Sequence, residues 1–413
     1  MITTLGREPS FGFGDRLGMA TPGHALALQK FGGGVRGVFA QQSIREMTRT
    51  GRTPQQVMDD AEQGLSRVGF VEPRGADADH LKTSRDVDAV MDAGFSFFTI
   101  DPSDHVDNQA DDYTVDQVFE KYDLLEWKPA WMERYSGQTV ALEDGLKLSL
   151  DELSLKRCAI KYGRALEETI GLGEYIVQRA ESGSRSVEIE LSIDETDQPT
   201  TPLEHFVFAD QLNAREIPLV SIAPRFHGNF EKGIDFWGDR SRFEETLKQH
   251  AAVSRYFKSY KLSLHSGSDK LSIYESFARQ TRGCFHVKTA GTSYLEALRV
   301  IGTTDEQLFR EIVKFSRGRF EEDRATYHLS SGLGDAVHPG DLRDGGDLLA
   351  EYMEKNAGRQ ILHVTFGSVV NDEQLGPRFR RNLAENQEVY TDFLVEHFGR
   401  HLQPLTSGMA GLS

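Results

Sequence analysis

Cysteine is almost missing from this chain: Cys158 and Cys284 are the only two among 413 residues, far apart and in no C-x-x-C pair. Neither a disulfide framework nor a thiolate zinc site is indicated, and a reducing compartment, the cytoplasm, is expected. Long apolar runs are missing too. No window approaches 18 uninterrupted apolar residues, and MITTLGREPS lacks the basic-then-apolar order of an export signal, so neither export nor a membrane partner is expected. Positive charge is scarce: 47 Lys and Arg stand against 64 Asp and Glu, a formal net charge of −17. A surface of that sign does not coat phosphate backbones, which argues against nucleic acid as a partner. It still admits a small anionic substrate, because a few well-placed cations hold a carboxylate.

Several familiar motifs fail on inspection. GFGDRLG contains G-x-G, but Pro22 follows soon after and no acidic residue ends a second strand at the usual distance, so a dinucleotide site is not expected. FGGGVRG lacks the G-K-[ST] of a phosphate-binding loop. The spacing of Asp101, Asp104 and Asp107 lacks the glycine and glutamate of an EF-hand. There is no H-E-x-x-H, no internal repeat and no low-complexity tract.

What is present is a recurring order: a short apolar or alternating run, a polar punctuation, then a longer stretch of helical periodicity. Strands are expected at Ser10–Arg16, Gly37–Ser43, Phe95–Asp101, Val187–Asp194, Pro218–Phe226, Lys261–Gly267, Phe285–Gly291 and Ile361–Ser368, with Thr326–Gly332 as a ninth strand or an ordered loop. Alternating strands and helices force parallel pairing, and about eight such units favour a (β/α)8 TIM-like barrel over a doubly wound sheet. In VEIELSID, Glu188, Glu190, Ser192 and Asp194 share one face and Val187, Ile189, Leu191 and Ile193 the other, as in a barrel strand with a polar interior. A half-exposed antiparallel strand would alternate in the same way. One catalytic domain is expected over residues 1–402, with an insertion or extended βα unit at about 107–183 after the third strand and a flexible tail at 403–413. A homo-oligomer is left open.

Of the 13 histidines, His105, His227, His265, His286, His328 and His363 lie at or near strand ends. In a parallel barrel those ends converge on the mouth where catalytic groups sit. Imidazoles converging there with carboxylates suit a divalent metal, although any one of them is more often a satisfied structural histidine. Asp101, Asp104, Glu190, Asp194 and Glu195 are the carboxylate candidates, with Asp101 equally suited to shaping the D-P-S-D turn. Arg16, Arg225, Lys288 and Lys82 are the rim cations, each also a potential salt-bridge partner. HSGSDK and KTAGTSY could form a small anion nest.

The blocks FGFGDRLGMATPGH, FFTIDPSDHV, ELSIDETDQPTTPLEH, APRFHGNFEKGIDFWGD, YKLSLHSGSDKLSIY, FHVKTAGTSYLEALRVIG, YHLSSGL and RQILHVTFGSVV, in that order, resemble the tagaturonate epimerase family from about residue 9 to about 402. The resemblance implies a metal-dependent interconversion of D-tagaturonate and D-fructuronate in hexuronate catabolism, with a hexuronate as the small-molecule partner and a divalent metal cation as cofactor. The two substrates differ at a carbinol carbon β to the ketone, which enolisation alone cannot invert. Retro-aldol cleavage with re-addition, or transient oxidation, would invert it, and with no convincing nicotinamide site the retro-aldol route is expected. Within the matching blocks, His105, His227 and His265 are the expected metal ligands, with His286 in reserve. Asp104 and Glu190 are the expected acid/base pair, and Arg16, Arg225 and Lys288 the expected substrate-binding cations. The alternatives are a metal-dependent ketose isomerase, a class II aldolase, or a non-catalytic sugar-acid sensor.

Overall fold

The computed structural model describes residues 1–265, 269–289 and 291–411. Eight parallel strands close into a barrel in sequential order: β1 (Ser10–Gly14), β2 (Arg36–Ser43), β3 (Asp77–Leu81), β4 (Phe97–Ile100), β5 (Glu188–Ile193), β6 (Leu219–Pro224), β7 (Lys261–His265) and β8 (Phe285–Thr289), which pairs back to β1. A (β/α)8-type barrel is thus the architecture. None of the described helices is long and apolar enough to cross a membrane.

Alternation along each strand separates two environments. One set of side chains, including Phe11, Phe13, Ile189, Leu191, Leu262 and Val287, joins the helices in a continuous buried core. Each such fully buried side chain contributes about 1.5–3 kcal/mol through removal from water. The other set fills the bore and is largely polar. Lys288 meets Asp77, Asp79 and Glu190 there. Further toward the strand starts, Lys261 Nζ donates to Ser10 Oγ at 2.9 Å, and Ser10 Oγ pairs with His286 Nδ1 at 2.8 Å. Glu188 Oε1 accepts the amide N–H groups of Leu5 and Gly6, which ties the N-terminal segment to this end of the barrel.

The strand β3 was not expected from the sequence, because DADHL has two aspartates and no β-branched or aromatic residue. Its place is set by what surrounds it: Ala78 and Leu81 join the apolar core, while the carboxylates of Asp77 and Asp79 meet Lys288. The ladder to β4 shifts register between Ala78 and Leu81, and His80 there has φ 52°. A bulge of this kind re-aims side chains, and left-handed backbone at a non-glycine residue marks a constrained position.

Elsewhere the expected strands match seven of the barrel strands, but Ile361–Ser368 does not form one. It lies across two helices, Asn356–Val364 and Phe366–Asn371, and Ala357–Val364 are all buried. The polar residues Arg359, Gln360 and His363 recur at helical spacing but are buried, Arg359 on Asp269 and Gln360 on Glu231, so the apolar run that follows looks like a buried strand when taken alone. The segment Thr326–Gly332 is a short 3-10 turn and loop. The 107–183 stretch does interrupt the barrel, but after the fourth strand, because β3 precedes it. It holds helices Val115–Asp123 and Trp131–Tyr135, a hairpin of Gln138–Ala141 and Lys147–Leu150, and helix Glu152–Ser182 capped by Asp151.

The expected flexible tail is also different: helix Gln387–Met409 runs through it and buries Leu402, Leu405 and Gly408. Its docking on helix Thr21–Phe31 needs Gly23, where a Cβ would lie 2.6 Å from Leu394 Cβ. Truncating Leu405 to Ala is expected to cost about 2–5 kcal/mol of stability in urea unfolding, whereas a mobile tail would give no measurable loss.

Burial of Lys261 works against its charge, and with Glu188 opposing, its pKa is lowered from 10.5 to about 8. Below pH 8 folded and unfolded chains both hold this proton. Between 8 and 10.5 only the unfolded chain does, so stability rises with pH across that window. Wild type should therefore gain on a Lys261→Met variant by on the order of 3 kcal/mol between pH 7.5 and 10.5. Parallel pH profiles of the two proteins would contradict it.

Candidate functional site at the barrel mouth

Polar side chains accumulate toward the C-terminal ends of the strands, where a TIM-like barrel carries its chemistry. The foundation is Lys288 of β8. Its Nζ lies 2.7 Å from Asp77 Oδ2, 2.9 Å from Asp79 Oδ1 and 2.7 Å from Glu190 Oε1, and donates to Thr99 Oγ1 at 2.5 Å. Burial alone would drive the ammonium to lose its proton, but Asp77, Asp79 and Glu190 outweigh it and hold its pKa above the usual lysine value. Three carboxylates around one cation cannot all be equally satisfied. Burial, with Asp79 and Glu190 adding to it against Lys288, pushes Asp77 up to about 7. Against the same burial, His80 and Lys288 pull Asp79 down to about 2.

Two imidazoles stand above this layer. His265, the last residue of β7, has Nε2 2.7 Å from Glu190 Oε1 and Nδ1 3.2 Å from Asp194 Oδ1. Burial disfavours its charge, yet Asp194 and Glu190 raise it to about 9. His80 has Nδ1 3.1 Å from Asp101 Oδ2 and Nε2 3.7 Å from Asp79 Oδ2. Burial again opposes its charge, and Asp79 and Asp101 carry its pKa well above 6.5. The two rings are 5.7 Å apart, centroid to centroid. One potential ligand atom from each of Asp79, His80 and His265 falls within 4.8 Å of the others, and the same holds for His80, Asp101 and Glu195.

Beside this cluster opens a cavity of about 430 Å³ lined by Asp194, Glu195, His265, Arg225, Lys232, Arg45 and the loop residues Tyr327–Ser330. Arg45 pairs with Glu195 at 3.0 Å. No carboxylate among the described residues closes an ion pair with Arg225, whose charge is disfavoured by burial and supported from further off by Asp194 and Asp197. A cavity of this size has room for a small organic ligand. Its floor can exchange protons, and its wall offers cationic groups to a carboxylate.

The donor set suits a divalent cation. The carboxylates of Asp77, Asp79, Asp101, Glu190, Asp194 and Glu195 outnumber the permanent cations among them, and the two imidazoles are drawn toward protonation to make up the difference. A metal ion would supply that positive charge and release both rings as neutral ligands.

Of the sequence candidates, the structure brings together Glu190, His265 and Lys288, with Arg225 on the cavity wall. It does not bring Asp104 or His105 there. Asp104 is 67% exposed and paired with Lys82 at 2.7 Å, and His105 is an exposed residue of a 3-10 turn. Asp101 turns inward to His80 while also accepting the Ser103 amide, so its turn-shaping and site roles coincide. His227 lies in the loop after β6, half-buried near Arg242 and Arg225, and belongs to none of the described ligand clusters. His286 is deeper in the bore on Ser10. Arg16 is buried against Glu46 at 2.5 Å, under the Phe366 ring, and does not line the cavity. Lys288 is saturated by carboxylates, which leaves it no capacity to hold a substrate carboxylate.

Asp77, Asp79 and His80 were missed in the sequence. One signal was available: Thr83 and Asp86 form a reciprocal capping box, so a helix starts at Ser84 and the preceding D-x-D-H occupies the place of a strand end.

Residues 2–405 match the family model for tagaturonate epimerase. A tagaturonate/fructuronate epimerase of Thermotoga maritima is 42% identical over 400 residues, covering 97% of this chain and 81% of the relative. The native crystal structure of a fructuronate-tagaturonate epimerase from Cohnella laeviribosi superposes with a TM-score of 0.92 at 37% identity, over 98% of this chain and 82% of that one. A glycerol complex of the same enzyme gives 0.91 at 37% identity, over 97% and 81%. With the match running almost end to end, this chain belongs to the tagaturonate epimerase family and is a carbohydrate epimerase.

Proposed function

We propose that the chain interconverts D-tagaturonate and D-fructuronate at the barrel mouth, by cleaving and re-forming a carbon–carbon bond. The observation that carries the chemistry is the opposition of Asp79 and Asp194 around His80 and His265, next to a cavity walled by Arg225. The differing carbinol carbon lies β to the ketone. Removing a proton α to the ketone leaves that centre untouched. Breaking the bond between the α and β carbons instead gives an enediolate on the ketone side and an aldehyde on the carboxylate side. Rotation of the aldehyde and re-addition on its other face inverts the centre.

In this scheme Arg225, with Lys232, pairs with the substrate carboxylate and holds the aldehyde half through its rotation. Asp79 and Asp194 replace the expected Asp104 and Glu190 as the acid/base pair. Both are held as carboxylates, so whichever takes the carbinol proton on cleavage becomes the acid whose proton goes back to the oxygen on re-addition, and the other serves the opposite direction. Glu190 is a positioning residue, with its Oε1 engaged by both Lys288 and His265. His80 and His265 would hold a divalent cation. Asp101 on Nδ1 of His80 leaves Nε2 for ligation. Such an ion supplies Lewis-acid polarisation of a ketone oxygen. The two cysteines are unpaired, in keeping with a reducing cytoplasm.

Incubating metal-reconstituted protein with each uronate separately should yield the other. Accumulation of three-carbon fragments would show an aldolase instead, and no conversion in either direction would overturn the proposal. Asp79→Asn is expected to lower kcat by about 10²–10⁴-fold, while Asp104→Asn stays within about twofold. Chelation should abolish turnover, and elemental analysis should find His80→Ala and His265→Ala each one equivalent of metal short of wild type. His105→Ala should retain the full complement.

A further inference from the structure

A second cluster of ligand-type side chains lies under the C-terminal helix and shares no residue with the barrel-mouth site. His397 and His401 are one turn apart on helix Gln387–Met409, so both rings leave the same face. They converge on Asp269 of the segment after β7. Asp269 Oδ1 is 3.2 Å from His397 Nε2 and 3.0 Å from His401 Nε2, and the two nitrogens are 3.2 Å from each other.

We propose that Asp269, His397 and His401 form a second, buried metal site for zinc or a similar late first-row divalent ion, which fastens the C-terminal helix to the barrel. The three donor atoms make a nearly equilateral triangle. Ligand atoms held about 2.0–2.1 Å from one ion stand about 2.9–3.4 Å apart in octahedral or tetrahedral arrangements, which brackets all three edges. Two imidazole nitrogens turned toward each other and toward one carboxylate oxygen are an inefficient hydrogen-bond set, because at most one proton can lie between any two of them. They are an efficient ligand set.

The surroundings match as well. His397 Nδ1 is 3.2 Å from Glu296 Oε1, so that carboxylate can accept its proton, fix the tautomer and leave Nε2 as the ligand atom. Arg359 Nη2 donates to Asp269 Oδ2 at 2.7 Å and leaves Oδ1 facing the rings. The His401 side chain is 0% exposed, and its Nδ1 has no partner among the described residues, so all its polar contacts are made through Nε2. Nitrogen and carboxylate donors in a buried site select zinc, cobalt or nickel over magnesium or calcium.

The test uses the full chain with the mouth site disabled by His80→Ala and His265→Ala, stripped with chelator and titrated with Zn²⁺ or Co²⁺. One equivalent should bind, raise Tm by several degrees, and with Co²⁺ give visible ligand-field bands. Adding His401→Gln should remove the equivalent, the Tm increment and the bands together. X-ray absorption of the bound ion should show two imidazoles, which reads the site even if the His401→Gln protein does not fold. A folded background that takes up no ion, an ion without imidazole ligands, or an equivalent that survives His401→Gln would each overturn the site and leave Asp269, His397 and Glu296 as an ion-pair network. The outcome is separate from that at the mouth: an ion bound only here would be lost with His401→Gln and kept in His80→Ala.

Discussion

The placement of Lys288 among Asp77, Asp79 and Glu190 is the constraint on which the rest of the barrel interior depends. A lone ammonium in the bore would cost several kcal/mol, and so would any one of the carboxylates. Together they draw β3, β5 and β8 to a common depth, with Thr99 of β4 completing the shell. Glu190 then sits where His265 can reach it, and Asp79 sits beside His80. The catalytic geometry is thus an extension of the ion pairing that makes a polar barrel interior tolerable. Removing one member leaves the others uncompensated, so loss of activity on mutating Glu190 or Lys288 would report on positioning as much as on chemistry.

That network also explains the unequal acidities at the mouth. Asp77 and Asp79 are two residues apart and share a cation, yet one is raised to about 7 and the other lowered to about 2. Asp79 faces a second positive partner in His80; Asp77 does not. Asp79 is thus held as a carboxylate beside His80, while Asp77 is the member of the network that burial drives toward its protonated form.

Much of the barrel was legible in the sequence because its strands are apolar on at least one face and end in punctuation. The β5 pattern also gave the inward direction of Glu190 correctly, as its contact with Lys288 shows. Legibility failed where local pattern and tertiary setting disagree. DADHL has the composition of a turn and becomes a strand only because Lys288 waits opposite its aspartates. ILHVTFGS has the composition of a strand but continues a helix that begins upstream at Asn356, whose buried polar residues Arg359 and Gln360 carry the helical spacing. The site followed the same division. Glu190, His265 and Lys288 stand on strands the sequence announces, whereas Asp79 and His80 stand on the strand it hides, and FFTIDPSDHV offered Asp104 and His105 in their place. The docked C-terminal helix was hidden for a related reason: Leu405 and Gly408 are buried by helices distant in sequence, which no local window shows.

The proposed reaction turns on whether the bond next to the inverted carbon breaks. The most direct measurement is the ¹³C kinetic isotope effect at the inverted carbon and at its ketone-side neighbour, taken in D₂O so that hydrogen exchange is read in the same products. Cleavage and re-addition requires a normal isotope effect at both carbons and no deuterium on the inverted one. A normal effect confined to the inverted carbon, or deuterium appearing there, would contradict it.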